Sequence, residues 1–223
     1  MGSIVKLYHG SKGGINGSIM PVSRVACDFG KAFYLGSNSV QAFSICTHYN
    51  NPVGYACHLA VDGLSISKLD STLWPLVVLS NRRPDILSSA PVLKEQLLEF
   101  EGTKDVIVGP IADDSLLEAF DSFADSNMTF EDLILCISEL NLGVQYALKT
   151  RKACDNVEIV SSKTLYGAEL DRLYNISIAN RIRGGDIFKK YQHRSRRTGI
   201  YMDEFIELYK GGVSCDVLRQ TTM

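Results

Sequence analysis

The sequence predicts an α+β domain with a mainly helical C-terminal extension. Strand-like alternation and helix-like spacing are interspersed along residues 1–162, but they do not recur as a regular βαβ series. From residue 163 onward the pattern is mainly helical. A chain of 223 residues, 45% hydrophobic and 22% charged, is one domain or one plus an appendage at roughly 150 residues per domain. At this size about 70% of the unfolded surface is buried on folding, so no disulfide or metal staple is required.

Each element follows from local pattern. Ile4–His9 alternates as a short strand and is broken by Gly-Ser-Lys-Gly-Gly. Lys31–Leu35 reads as a strand, and Ser39–Tyr49 as a helix that starts at a Ser/Asn cap. Val53–Val61 places Val53, Tyr55, Cys57, Leu59 and Val61 on one face of a strand. Ser71–Ser80 is helical, with Asp70 or Ser71 as cap. Lys104–Val108 is a buried strand running into Gly109-Pro110. Asp114–Ala124 and Thr129–Leu140 have helical spacing, the second capped by Thr129 with an acid three residues on. Val144–Thr150 and Val157–Ser161 are strands, and 165–209 is mostly helical. In the last stretch Met202, Phe205, Ile206 and Tyr209 form a stripe that reads as core.

Charge and cysteine usage narrow the function classes. With 23 Lys+Arg against 25 Asp+Glu, the chain is neither a uniformly basic nucleic-acid coat nor an acidic disordered tail. One basic segment stands out, residues 181–197, with seven basic residues and one acid. It reads as a solvated helix face or as a contact for a polyanion. Six scattered cysteines without a Cys-x-x-Cys pair argue against zinc and against a disulfide framework, so no metal is expected. No uncharged apolar run approaches the ~18 residues of a membrane span, and MGSIVKLYHGSK has no secretory pattern. A cytoplasmic protein without membrane partners is the expectation.

Three short stretches carry chemistry only in combination. Leu7-Tyr8-His9-Gly10-Ser11 ends a strand on an imidazole followed by a residue that lets a ligand approach the backbone. Asp28-Phe29-Gly30-Lys31-Ala32-Phe33-Tyr34-Leu35 feeds an aromatic strand from a Gly-Lys turn, with Gln41-Ala42-Phe43 on the helix after it. Gly143-Val144-Gln145-Tyr146-Ala147-Leu148 sets a polar amide among apolar neighbours, where it needs hydrogen-bond partners if buried.

In order and spacing these stretches resemble the three motifs of the ADP-ribosyltransferases, in the His-Tyr-Glu version of the poly-ADP-ribose polymerases and diphtheria-type toxins. In the polymerases the second motif reads Gly-Lys-Gly-Ile-Tyr-Phe-Ala before a helix, and Gly30–Gly36 is similar. Ser65–Arg83, Asp105–Asp114 and Gln145–Val160 look closer to an uncharacterised bacterial family of such domains. The resemblance covers residues 4–161. It implies a split β-sheet core with peripheral helices, residues 1–162 forming the NAD-binding domain and 163–223 the extension. It further implies NAD as substrate. His9 would bind the adenosine ribose, Gly10 would hold the nicotinamide carboxamide by its backbone with Ser11 beside it, and Tyr34 would stack on the nicotinamide ring.

Two departures from the family pattern bear on mechanism. Gln145 stands at the glutamate position, and an amide can bind a ribose hydroxyl but can neither act as a general base nor supply charge. Ile45 falls where the polymerases have a second stacking aromatic, and Ala42 where they have a serine; Tyr49 or Ser44 are the nearby substitutes. An acid from elsewhere is open: Asp113 and Asp114 follow a strand exit at Gly109-Pro110, and Asp28 precedes the Gly-Lys turn. His48, His58 and His193 match no motif. The expected activity is mono-ADP-ribosyl transfer from NAD to a protein or nucleic-acid acceptor. An NAD glycohydrolase, and an inactive NAD-binding or protein-interaction module, are the alternatives.

Overall fold

A computed structural model describes residues 2–24, 26–111 and 114–214, without the side chains of Asp114 and Ser115. The strands are β1 (Ile4–Ser11), β2 (Phe33–Gly36), β3 (Val53–Ala60), β4 (Ile66–Lys68), β5 (Val106–Pro110), β6 (Val144–Leu148) and β7 (Val157–Thr164). Among the described residues they form one sheet in the order β4-β5-β6-β2-β1-β3-β7. Every pairing is antiparallel except β4 with β5. The helices are α1 (Ser39–Ser44), α2 (Leu73–Arg82), α3 (Pro91–Gly102), α4 (Asp114–Ala124), α5 (Phe130–Leu140), α6 (Arg151–Asp155), α7 (Gly167–Tyr191) and α8 (Met202–Tyr209). The architecture is α+β, as the interspersed periodicities predict.

The pairing is uneven across the sheet. β1 and β3 run together from Ile4 opposite Ala60 to Ser11 opposite Val53. β1 and β2, by contrast, meet at one described pair, Tyr8 opposite Gly36. The two halves of the sheet are therefore joined at the middle by a single rung, and β1 continues past it through His9, Gly10 and Ser11.

Local chemistry explains where elements start and stop. Asn38 caps α1, its side chain accepting from the Val40 and Gln41 amides. The helix ends at Ser44 rather than running to Tyr49. Beyond it the backbone closes i to i−3 bonds, and the Ser44, Cys46 and Thr47 side chains bond to carbonyls three residues back, competing with helix continuation. The Asp70 carboxylate receives the Thr72 and Leu73 amides and so starts α2. Thr129 caps α5, and Asn141, in the left-handed conformation, closes it. β6 ends at Leu148, two residues before the sequence pattern suggests, because Thr150 already caps α6. β7 extends three residues beyond the expected Ser161.

Burial divides by sheet face. Phe29, Trp74, Phe120, Phe123, Leu133 and Leu140 anchor the larger cluster, joined by Phe188, Met202 and Phe205. Leu7, Leu35, Tyr55, Cys57, Leu59 and Leu148 form the second cluster on the opposite face. The helical stretch after residue 162 thus shares its core with the preceding residues, and the stripe on α8 is buried as core.

α1 lies directly on β1. A methyl group at Gly10 would stand 2.2 Å from the Ala42 carbonyl oxygen and 3.1 Å from Cys46 Sγ. Gly10→Ala is accordingly expected to cost about 2 kcal/mol, because helix backbone must shift to admit it. Gly13→Ala, with nothing within 4 Å, should stay within about 0.5 kcal/mol. Urea unfolding of the two variants compares them directly, and equal midpoints would contradict the packing.

Candidate functional site

The three motifs come together on neighbouring strands, His9 on β1, Tyr34 on β2 and Gln145 on β6. Register sets their directions. Gln145 lies opposite Gly36, and Tyr34 opposite Ala147, so both side chains project to the face of the larger cluster. Tyr8 shares that face through its pairing with Gly36. Alternation therefore sends His9 to the other face, where it stacks on Phe33 with ring centroids 4.4 Å apart. The structure brings Tyr34 and Gln145 to one side of the sheet and His9 to the other, with His9 and Tyr34 on the two strands of the β1–β2 seam and Gln145 on the next strand, β6.

His9 fills a gap in that seam. Its Nδ1 lies 2.8 Å from the Tyr34 carbonyl oxygen. A carbonyl only accepts, so Nδ1 carries the hydrogen, and in the neutral ring Nε2 is an acceptor. Burial holds the imidazole below its ordinary pKa, with the bond to Tyr34 partly offsetting that effect.

Tyr34 is fixed at its hydroxyl, which donates to the Gly30 carbonyl (2.8 Å) and receives the Phe29 amide (3.1 Å). Burial pushes its pKa far up, and the Cys27 thiol and the Asp28 and Glu101 carboxylates push the same way. The phenol remains protonated at any physiological pH.

The turn that holds this hydroxyl is itself fastened by buried charge. Gly30 adopts φ +67°, a conformation costly for other residues, and a Cβ there would run into the Asn81 side chain. The Lys149 ammonium donates to the Phe29 carbonyl and pairs with Glu101 at 3.2 Å. Glu101, only 7% exposed, also receives Ser80 Oγ at 2.8 Å and Asn81 Nδ2 at 3.0 Å. Asp28, 5% exposed, pairs with Arg82 at 2.5 Å. Gln145 Nε2 then donates to Asp28 Oδ2 at 2.7 Å and to the Pro110 carbonyl at 3.2 Å.

The remaining predicted residues are placed as follows. Ser11 ends β1, half-buried. Ile45 is 58% exposed at the end of α1. Ser44 spends its hydroxyl on the Gln41 carbonyl, and the Tyr49 ring carries the Lys12 ammonium at 4.5 Å. Asp113 lies outside the described residues, and Asp114 begins α4. His48 meets Tyr174 edge-on, and His58 stands 3.9 Å from Glu158. The basic segment is partly answered internally: Lys190 pairs with Glu139, and Arg183 donates to the Glu139 carbonyl. Arg196 and Arg197 are exposed. Open hollows on α7, around Asp171 and Arg172, and along 197–208 do not involve the three motifs. Among the described residues no group of three or more His, Cys, Asp or Glu is arranged to hold a metal, and no helix is long and apolar enough to cross a membrane.

Arg82, Glu101 and Lys149 are absent from the sequence-based expectations. One of them had a signal. On α3 the buried positions are Leu93, Leu97, Phe100 and Glu101, so the glutamate occupies the apolar stripe at i+8, where a charge requires a buried partner.

Two outcomes follow. Lys149→Met removes the cation beside buried Glu101 and is expected to lose about 3 kcal/mol in urea unfolding; a loss below about 1 kcal/mol would contradict the network. For His9, the unfolded chain takes up a proton near pH 6.5 while the folded imidazole resists it. Its contribution is intact above that pH and is lost as pH falls below it. His9→Gln should therefore flatten the decline in stability between pH 7.5 and 5.5, and parallel declines in the two proteins would contradict the buried neutral ring.

No curated protein and no solved structure matches the chain. Residues 5–159 match the model of the family described as a protein of unknown function (DUF3990), a span that includes all three motifs. The chain belongs to that family.

Proposed function

We propose that the chain binds NAD at the β1–β2 seam and transfers its ADP-ribosyl group, one unit at a time, to a protein or nucleic-acid acceptor with release of nicotinamide. The observation that carries this reading is the strand order: β6, β2 and β1 are neighbours bearing Gln145, Tyr34 and His9, and β1 and β2 part after one rung. On this reading that junction is the split of an ADP-ribosyltransferase-like sheet.

The chemistry suits the groups present. The bond between nicotinamide nitrogen and ribose C1′ breaks, and its electron pair leaves with nicotinamide. A lone pair of the acceptor forms the new bond to C1′, and the acceptor's proton passes to solvent. The seam supplies orientation for this dissociative step. A neutral His9, with Nδ1–H on the Tyr34 carbonyl, offers Nε2 to a ribose hydroxyl. Tyr34, pinned at its hydroxyl, serves as a fixed aromatic wall and not as an acid. Gln145 accepts a hydroxyl but cannot deprotonate one, which limits transfer to acceptors that are nucleophilic by themselves and disfavours polymer growth.

Incubation with NAD labelled on the adenylate, with and without cell lysate, tests the reading. Label on protein or nucleic acid, lost in His9→Ala and Tyr34→Ala variants that retain their circular dichroism, is the expected result. Label found only in free ADP-ribose would make the chain a glycohydrolase. No turnover and no NAD binding would overturn the proposal.

A further inference from the structure

Gln145 has its orientation decided by its neighbours. Both groups that contact Nε2, the Asp28 carboxylate at 2.7 Å and the Pro110 carbonyl at 3.2 Å, can only accept. The amide must therefore point its two N–H groups at them, and a flipped side chain would set oxygen against oxygen. Both donors are thereby used. Oε1 is the atom left on this half-buried side chain, and it receives no hydrogen bond from the described residues. Its in-register neighbours are Gly36 on β2 and Gly109 on β5, neither of which has a side chain to cover it. Asp28 is held in turn by Arg82 at 2.5 Å.

From this geometry we infer that Asp28 is a positioning residue for Gln145: it fixes the amide so that Oε1 is presented as the acceptor for a substrate hydroxyl. The inference rests on the reading of the seam as an NAD site, in which that hydroxyl belongs to a ribose. A carboxylate is thus kept beside the Gln145 amide, on the second-motif turn instead of on β6. Among the described residues, Arg82 of α2 pairs with Asp28; the other charged and titratable groups around the turn are Glu101 of α3 with Lys149 after β6, and Tyr34 of β2 with Cys27 near it.

The arrangement reverses the simple expectation for Gln145→Glu. A second carboxylate would stand against Asp28, and two such groups in contact do not both ionise. The variant should lose roughly 5 °C in Tm at pH 8 and less at pH 5. Adding Asp28→Asn should restore most of that loss. Additive effects of the two substitutions, or no dependence on pH, would overturn the contact.

Orientation has its own readout in the unmodified chain. The Gln145 Nε2 protons should give a displaced, exchange-protected side-chain NMR pair that moves in Asp28→Asn. A pair at the free-amide position, unchanged in that variant, would overturn the positioning role. Titration with NAD separates the two claims. A perturbed pair supports both, whereas an unperturbed pair with the Asp28 contact intact would overturn the NAD reading and the role given to Oε1.

Discussion

Arg82 on the Asp28 carboxylate and Lys149 on the Phe29 carbonyl hold the turn from which the candidate site is built. The acids they meet, Asp28 and Glu101, are buried, and a buried charge is costly unless it is paired and hydrogen-bonded. Here each cation answers an acid: Arg82 answers Asp28, and Lys149 answers Glu101 while also reaching the backbone. The turn in turn receives the Tyr34 hydroxyl and the Gln145 amide. A tyrosine on β2 and a glutamine on β6 are thereby locked to a loop that neither strand touches by its ladder. Such mutual support is what a preorganised site needs, because its side chains must be held before a ligand arrives.

The sheet supplies the second constraint. Strand pairing is extensive from β1 outward through β3 to β7, with one register shift at Ala56/Cys57, and from β2 outward through β6 to β5, but it is reduced to one described rung between β1 and β2. Backbone groups at such a seam still need partners. His9 provides one for the Tyr34 carbonyl, so an imidazole does the work of a ladder bond and is oriented by doing it. α1 then covers the far side of β1, close enough at Gly10 that no side chain fits.

Legibility in the sequence followed the range of the interactions involved. Caps were readable because they act over two or three residues: Thr129 before α5 and Asp70 before α2 are examples. Long periodic stretches such as α4 and α5 were readable for the same reason. β4, of three residues, is too short to show a period, and α6 hides behind a strand-like run that ends only because Thr150 turns the chain. α3 is missing from the expected elements although Leu93, Leu97 and Phe100 share its buried stripe, and Glu101 at its end makes sense only once Lys149 is beside it.

By itself the sequence determined the α+β class, most element positions, and the three motifs with their order, since apolar period and turn chemistry are local properties of the chain. Only the tertiary structure decided what those motifs do to one another. The Gln145–Asp28 bond spans 117 positions and the Lys149–Phe29 bond 120, and no local pattern encodes such a partner. Strand register decided that His9 and Tyr34 leave opposite faces of the sheet, because a shift of one residue in pairing exchanges every side chain between faces.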